Sequence, residues 1–252
     1  MDTKEMVARY ATRLGDTSLI LSHRLAELYA SGPTLEESVA LTNISLDHLG
    51  QATSFYQYAA SLNADGMSED DIAYRRNERE YFNFQLVEQP NTDFACVMLR
   101  QYFMDVFNYY FYTALCDSAD ETLSAIAAKA VKEVKYHYRH SREWLLRLAK
   151  GTKTAFDKVE NALVHLWGYT NELFVADKID HALADLGIAV DLEGVKALWE
   201  KDVLAFFHEL KLTPPENTYQ AKGCKEGVHS ELLGHILSEM QYLPRAYPDA
   251  KW

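Results

Sequence analysis

Lys132-Glu133-Val134-Lys135-Tyr136-His137 carries the strongest indication of architecture in this chain. It lies inside a long helical segment, where Glu133 is followed by Tyr136 three residues on and His137 four on. Di-iron four-helix bundles take Glu-x-x-His from two of their helices and a lone carboxylate from each of the others, all pointing inward. The segment Leu46-Asp47-His48-Leu49-Gly50 repeats the near match, with Asp47 at the Glu position and Gly50 at the His position. Both histidine positions lack their ligand. The pattern is that of a di-iron bundle that keeps its scaffold and gives up its iron, which moves the expected function from catalysis to the support of another protein.

On both sides of these segments apolar residues recur at helical spacing. Leu14, Leu21, Leu25 and Leu28 mark a first helix before the break at Ser31-Gly32-Pro33. Leu35, Val39, Ile44, Leu46, Leu49, Phe55 and Tyr58 mark a second, running to about Leu62. Asp65-Gly66 with Ser68 breaks it and caps a short helix, and Glu78 to Glu88 reads as a further helical piece ended by Gln89-Pro90-Asn91. Thr92 or Asp93 caps a third long helix to about Cys116, and Asp120 a fourth that stops at Lys150-Gly151. Helices over Ala155 to Phe174, Asp177 to Leu186, Asp191 to Leu212, and Ser230 to about Leu243, closed by Pro244, complete the reading. No segment alternates as a half-buried strand does. Two long helical pairs joined by a crossing segment predict an all-α, ferritin-like four-helix bundle with additional helices, as a single domain over residues 1–252.

Such a bundle brings one carboxylate per long helix toward its centre, and the candidates are Glu27, Asp47, Asp105 and Glu133. Asp105 stands out, because it interrupts Tyr102-Phe103-Met104-Asp105-Val106-Phe107 and a buried acid without a partner is costly. Glu133 and His137, four apart, share a helix face. Taken singly, each acid is ordinarily a solvated helix residue. A mononuclear metal site on Glu133 and His137 is one arrangement of these residues; an ion-paired relic of the metal site is the better fit, with no metal held.

Lys plus Arg number 25 against 37 Asp plus Glu, a net charge of −12 that argues against nucleic acid or a membrane surface as partner. Apolar residues make up 48%, with 16 Tyr, 11 Phe and 4 Trp, enough for a sizeable helical core. Cys96, Cys116 and Cys224 are odd in number and widely spaced, which suits reduced thiols in the cytoplasm. The charged start Met1-Asp2-Thr3-Lys4-Glu5 shows no signal peptide. Gly-rich phosphate loops and G-x-S-x-G are absent from the sequence. Ser230 reads as a helix N-cap with Glu231 in the first turn, Lys222 and Lys225 as a docking patch for an acidic partner or a CoA phosphate, and the aromatic run Tyr102 to Tyr112 as core or a subunit contact.

Across nearly its whole length the chain resembles the C subunits of the phenylacetyl-CoA epoxidase (phenylacetate-CoA oxygenase) family. The resemblance is carried by Tyr10-Ala11-Thr12-Arg13-Leu14-Gly15-Asp16, Asn43 to Ala52, Leu86-Val87-Glu88-Gln89-Pro90-Asn91, Arg100-Gln101-Tyr102-Phe103 and Lys129-Ala130-Val131-Lys132-Glu133. Asp177-Lys178-Ile179-Asp180, His229-Ser230-Glu231 and Glu239 to Leu243 continue it in the same order. It implies a ferritin-like fold without iron, paired with a homologous A subunit that carries the di-iron centre and epoxidises the ring of phenylacetyl-CoA with O2 and electrons from a separate reductase. It implies further that this chain meets the acyl-CoA through Glu80, Tyr81, Phe82 and Asn83 and through His181, Ala182 and Leu183, and that it can pair with itself when isolated. The rival reading from the residues is a stand-alone metal-dependent oxygenase using Glu27, Asp47, Asp105, Glu133 and His137.

Overall fold

The computed structural model describes residues 1–29, 31–63, 66–216, 219–248 and 250. Among the described residues helix is the only regular element, in ten α-helices with short 3-10 turns between them, as the all-α reading expects. Two long helical hairpins separated by a connecting segment give the element order of a ferritin-like fold. The chain forms two compact units, Met1–Pro90 with Gly223–Trp252, and Asn91–Lys222.

In the first unit, α1 (Thr3–Ala26) starts at a capping box in which Asp2 accepts from the Glu5 amide and Glu5 accepts from the Asp2 amide. Thr34 caps α2 (Leu35–Leu62). The two helices run antiparallel, since Ser22 bonds to Ser45 (2.8 Å to its carbonyl) while Asp16 accepts from Tyr56 (2.6 Å). Ala8, Ala11, Gly15, Ser18 and Ser22 recur at three- and four-residue spacing on α1 and are buried, so the backbones can approach closely. At Gly15 the approach is tightest: a Cβ there would stand 2.6 Å from a Tyr56 ring carbon. Ser68 opens the short α3 (Glu69–Tyr74) with a second capping box. Asp65, expected to help break the preceding helix, lies outside the described residues.

In the second unit, Asp93 rather than Thr92 caps α4 (Phe94–Leu115), accepting from the Cys96 amide at 2.9 Å. Asp120 caps α5 (Glu121–Ala149). Phe94 meets Trp144 edge-on and Ser124 bonds the Cys116 carbonyl, which makes this pair antiparallel too. Most of α4 is buried on every side, as for a helix at the centre of its unit. Its Phe103 ring sits among Trp167, Trp199 and Phe207, and its Phe103 carbonyl accepts from the Trp199 indole at 3.0 Å. The buried face of α5 is Leu123, Ala127, Ala130, Val134, His137, Ser141 and Leu145. α6 (Lys153–Leu166), α7 (Lys178–Ala184) and α8 (Leu192–Leu210) follow, the last two capped by Asp177 and Asp191.

Three expected helices are shorter than their periodicity suggests. Glu78 to Glu88 is two 3-10 turns, Glu78–Glu80 and Gln85–Glu88, with extended backbone between them, because Phe82 donates its amide to Asp16 and the Tyr81 carbonyl accepts from His229 instead of a helical partner. Past Leu166 the chain tightens into 3-10 turns, and the Gly168 carbonyl accepts from the Ala221 amide. The last expected helix is two, α9 (Glu231–Met240) and α10 (Tyr242–Ala246). Pro244 falls in the first turn of α10 rather than closing α9, a place where its missing N–H costs nothing.

Gly15→Ala tests the close approach of α1 and α2. An exposed helical Gly→Ala gains up to about 1 kcal/mol, whereas overpacking against Tyr56 costs ~1–3 kcal/mol. A lowered denaturation midpoint is expected; a raised one would show that the helices can separate freely.

Candidate functional site

Two buried carboxylates organise the first unit, and neither is among the residues singled out from the sequence. Asp16 accepts from the Tyr56 hydroxyl, the Phe82 amide (2.8 Å) and both terminal nitrogens of Arg76. Burial alone would lower the Arg76 pKa, and Asp16 more than offsets it, so the guanidinium stays charged. Burial, and then the Asp16 charge, hold the Tyr56 hydroxyl protonated.

Glu88 is the second. One of its oxygens accepts from Asn83 (2.9 Å) and His229 Nδ1 (2.7 Å), the other from the Ser230 amide (2.8 Å) and hydroxyl (2.6 Å). Arg24 donates twice to the Glu88 carbonyl, at 3.0 and 2.6 Å. The other His229 nitrogen faces the Tyr81 carbonyl at 2.7 Å, so both ring nitrogens point at acceptors and the imidazolium fits the pocket. Burial opposes that charge, and the bond and charge of Glu88 with the Tyr81 carbonyl outweigh it and raise the pKa. The stability this charge contributes is present below the ordinary 6.5 and is lost as pH climbs through the raised value. Ser230 therefore commits its side chain to Glu88 and makes no capping bond to α9, contrary to the sequence expectation.

The five residues expected at a degenerate metal site fall in different settings. Glu27 is the C-cap of α1, exposed, and pairs with Arg24 at 2.8 Å. Asp47 is half-buried on α2, and the wholly buried residue there is its neighbour His48, on the face set by Leu41, Ile44, Ser45 and Ala52. Glu133 is half-buried on α5. Asp105 and His137 are wholly buried in the second unit. Gln101 donates to one Asp105 oxygen (2.6 Å) and Ser141 to the other (2.7 Å). Burial pushes the Asp105 pKa up to about 6, against the opposing pull of His137 and of those two hydrogen bonds. Asp105 and His137 are thus the donors that α4 and α5 could offer a cation; each Asp105 oxygen accepts one hydrogen bond and keeps a second lone pair.

The segment expected to meet acyl-CoA is largely turned inward. Tyr81 donates to the Ala73 carbonyl and accepts from Gln241, Phe82 lies under the Arg9 guanidinium 3.4 Å from its ring centre, and Asn83 serves Glu88. Glu80 is exposed. It borders a cleft of about 540 Å3 that also carries Arg9, Arg76 and Arg79 with Glu5 and Glu226, so three cations meet three acids there, and Arg76 already pairs with Asp16. On α7, His181 is exposed, Ala182 half-buried and Leu183 buried. Lys222 is exposed, and Lys225 is half-buried in the 3-10 turn Cys224–Glu226, which Gly227 ends in a left-handed conformation with no room for a Cβ against the Arg79 carbonyl.

The sequence carried a usable signal for the missed acids. Asp16 precedes Thr17-Ser18-Leu19-Ile20-Leu21 and Glu88 follows Leu86-Val87, the same acid-in-an-apolar-run that singles out Asp105.

Compared with known proteins, residues 1–252 match the model of a family described as phenylacetic acid catabolic protein. The chain is 48% identical over 243 residues to a protein of Escherichia coli (strain K12) named as the C subunit of 1,2-phenylacetyl-CoA epoxidase, covering 96% of this chain and 98% of that one.

Asp105→Asn should raise stability at neutral pH. The amide oxygen can keep the Gln101 bond while its nitrogen donates to Ser141, whose hydroxyl already lies 3.3 Å from the Tyr138 carbonyl. A folded-state value raised from 3.8 to about 6 means the carboxyl contributes most below pH 3.8 and its contribution is lost as pH rises to 6. That rise corresponds to ~3 kcal/mol. The variant's advantage in urea midpoints should grow between acid and neutral pH; an advantage independent of pH would refute the shift.

Proposed function

The chain belongs to the phenylacetic acid catabolic protein family, and on that basis we propose that it is a non-catalytic structural subunit of a multicomponent phenylacetyl-CoA epoxidase acting in phenylacetate degradation. Near full-length identity of 48% to a protein named as a component of that enzyme supports its place in such a complex. Its working partners are then a homologous A subunit holding the di-iron centre and a reductase component, and phenylacetyl-CoA is met only within the assembly. Among the described residues no helix is long and apolar enough to cross a membrane, which accords with the cytoplasmic location proposed here.

The observation that carries the non-catalytic part is the scatter of the expected ligands between buried and exposed settings. A di-iron centre needs inward carboxylates with oxygens available to the metal. Here Asp105 alone of the four expected carboxylates is wholly buried, Asp47 and Glu133 are half-buried, and Glu27 faces solvent against Arg24. Asp105 and Glu27 both take protein partners. What they do is keep α4 to α5 in register through Asp105 and Ser141, and the end of α1 against the Glu88 backbone through Arg24. The acyl-CoA contact is proposed at the Arg9–Arg79–Glu80 cleft, where the exposed Arg79 offers a phosphate a cation.

Reconstitution tests both statements. The A subunit with reductase should epoxidise phenylacetyl-CoA poorly alone and at least about tenfold faster with this chain, roughly 1.4 kcal/mol in the barrier. In the same assay Arg79→Glu should raise KM for the acyl-CoA several-fold without moving the chain's melting temperature. Turnover by this chain and reductase without an A subunit would contradict the proposal, and an unchanged KM would remove the cleft from it.

A further inference from the structure

Within the first unit, Gly227-Val228-His229-Ser230 seats the start of α9. Gly227 packs against the Arg79 carbonyl, and the Val228 carbonyl accepts from Gln85 at 3.3 Å. His229 reaches Glu88 and the Tyr81 carbonyl, and Ser230 gives Glu88 its amide and its hydroxyl. Past the end of α9, Gln241 donates to the Arg76 carbonyl (2.9 Å) and to the Tyr81 hydroxyl (2.8 Å). With Leu233, Ile236 and Leu237 buried between them, the helix has a polar anchor at each end.

The two anchors differ in how they depend on protons. The Gln241 amide nitrogen carries two hydrogens and serves both acceptors at any pH. Both His229 nitrogens face acceptors, whereas a neutral imidazole has a single N–H. Whichever tautomer forms, the other nitrogen turns a lone pair on the Glu88 carboxylate or on the Tyr81 carbonyl. The His229 side chain is 1% exposed, so little water can relieve that contact.

The surrounding charges agree with the geometry. Glu88, in its 3-10 turn, and Asp16, on α1, both favour the imidazolium and together with the Tyr81 carbonyl outweigh its burial. The cations of neighbouring elements are engaged, Arg24 with the Glu88 carbonyl and Arg76 with Asp16. Burial keeps the Tyr81 phenol protonated. Glu78, Arg79 and Glu80, in the turn before Tyr81, are exposed, as are Glu226 and Glu231 on the segment of His229, where Lys225 is half-buried.

We infer that His229 is a proton-operated latch: charged, it clamps the start of α9 to Glu88 and the Tyr81 backbone; neutral, it lets that end of the helix lift while Gln241 holds the other. The latch also bears on the cleft beside Glu80. Arg79, Glu80, Phe82 and Glu226 line that cleft, and His229 joins the two stretches of chain that carry them. One wall of the cleft is therefore firm while His229 is charged and loosens when it is neutral. This goes beyond the acyl-CoA reading of the cleft and does not depend on it.

The test is hydrogen exchange of the full chain from about pH 5.5 to about pH 9, corrected for the intrinsic pH dependence of exchange. Opening of residues 231–237 should be constant below 6.5, the ordinary histidine value, and then rise several-fold. The slope should reach at most about tenfold per pH unit, because one proton is lost, and the curve should level off above the His229 midpoint. In His229→Gln the opening should be the same at every pH. By NMR the imidazole signal missing from that variant should titrate above 6.5 in wild type and lower in Glu88→Gln. A flat profile in wild type, a step that persists in His229→Gln, or a His229 midpoint at or below 6.5 would each overturn the latch. The exchange profile and the pH titration of wild type need no variant to fold, so they decide the matter even where the substitutions unfold the chain.

Discussion

A carboxylate removed from water must be met by donors or by a cation, and in this chain that requirement shapes the interior. Glu88 draws in Asn83, His229 and Ser230, so one side chain ties the 3-10 turn Gln85–Glu88, the extended residues before it and the start of α9 together. Asp16 does the same for α1, α2 and the Arg76 that follows α3. Removing one partner from such a cluster leaves a buried charge uncompensated, which costs far more than the net worth of the intact cluster. The C-terminal segment is thus held by hydrogen-bond geometry as much as by apolar contact.

The second unit meets the same requirement differently. At Asp105 an amide, a hydroxyl and a neighbouring imidazole share the work, and burial lifts its pKa to about 6. The hydrogen bonds of Asp105 with Gln101 and Ser141 tie α4 to α5 and set their register.

Much of this was legible in the sequence because it is local. Asp93, Asp120, Asp177 and Asp191 announce the starts of α4, α5, α7 and α8, and each cap is where its residue type predicts. The family resemblance and the near-miss ligand motifs pointed to the same fold and complex. Periodicity failed on α2, where Ile44 is buried and Leu46 is exposed although the two look alike in a sequence. It failed again at Glu78 to Glu88, where backbone groups take partners from distant segments such as Asp16 and His229. The site reading chose Asp47 beside buried His48, and Glu27 at a helix end, because motif spacing gives position along a helix more reliably than depth.

If this chain supports the oxygenase chemistry without holding the metal that performs it, the chain purified alone should be nearly free of iron. The measurement is iron analysis after growth with ample iron. Less than about a tenth of an equivalent is expected, against the roughly two that a di-iron bundle holds. Near two equivalents, lost on Glu133→Ala, would contradict the scaffold role and make this chain the oxygenase.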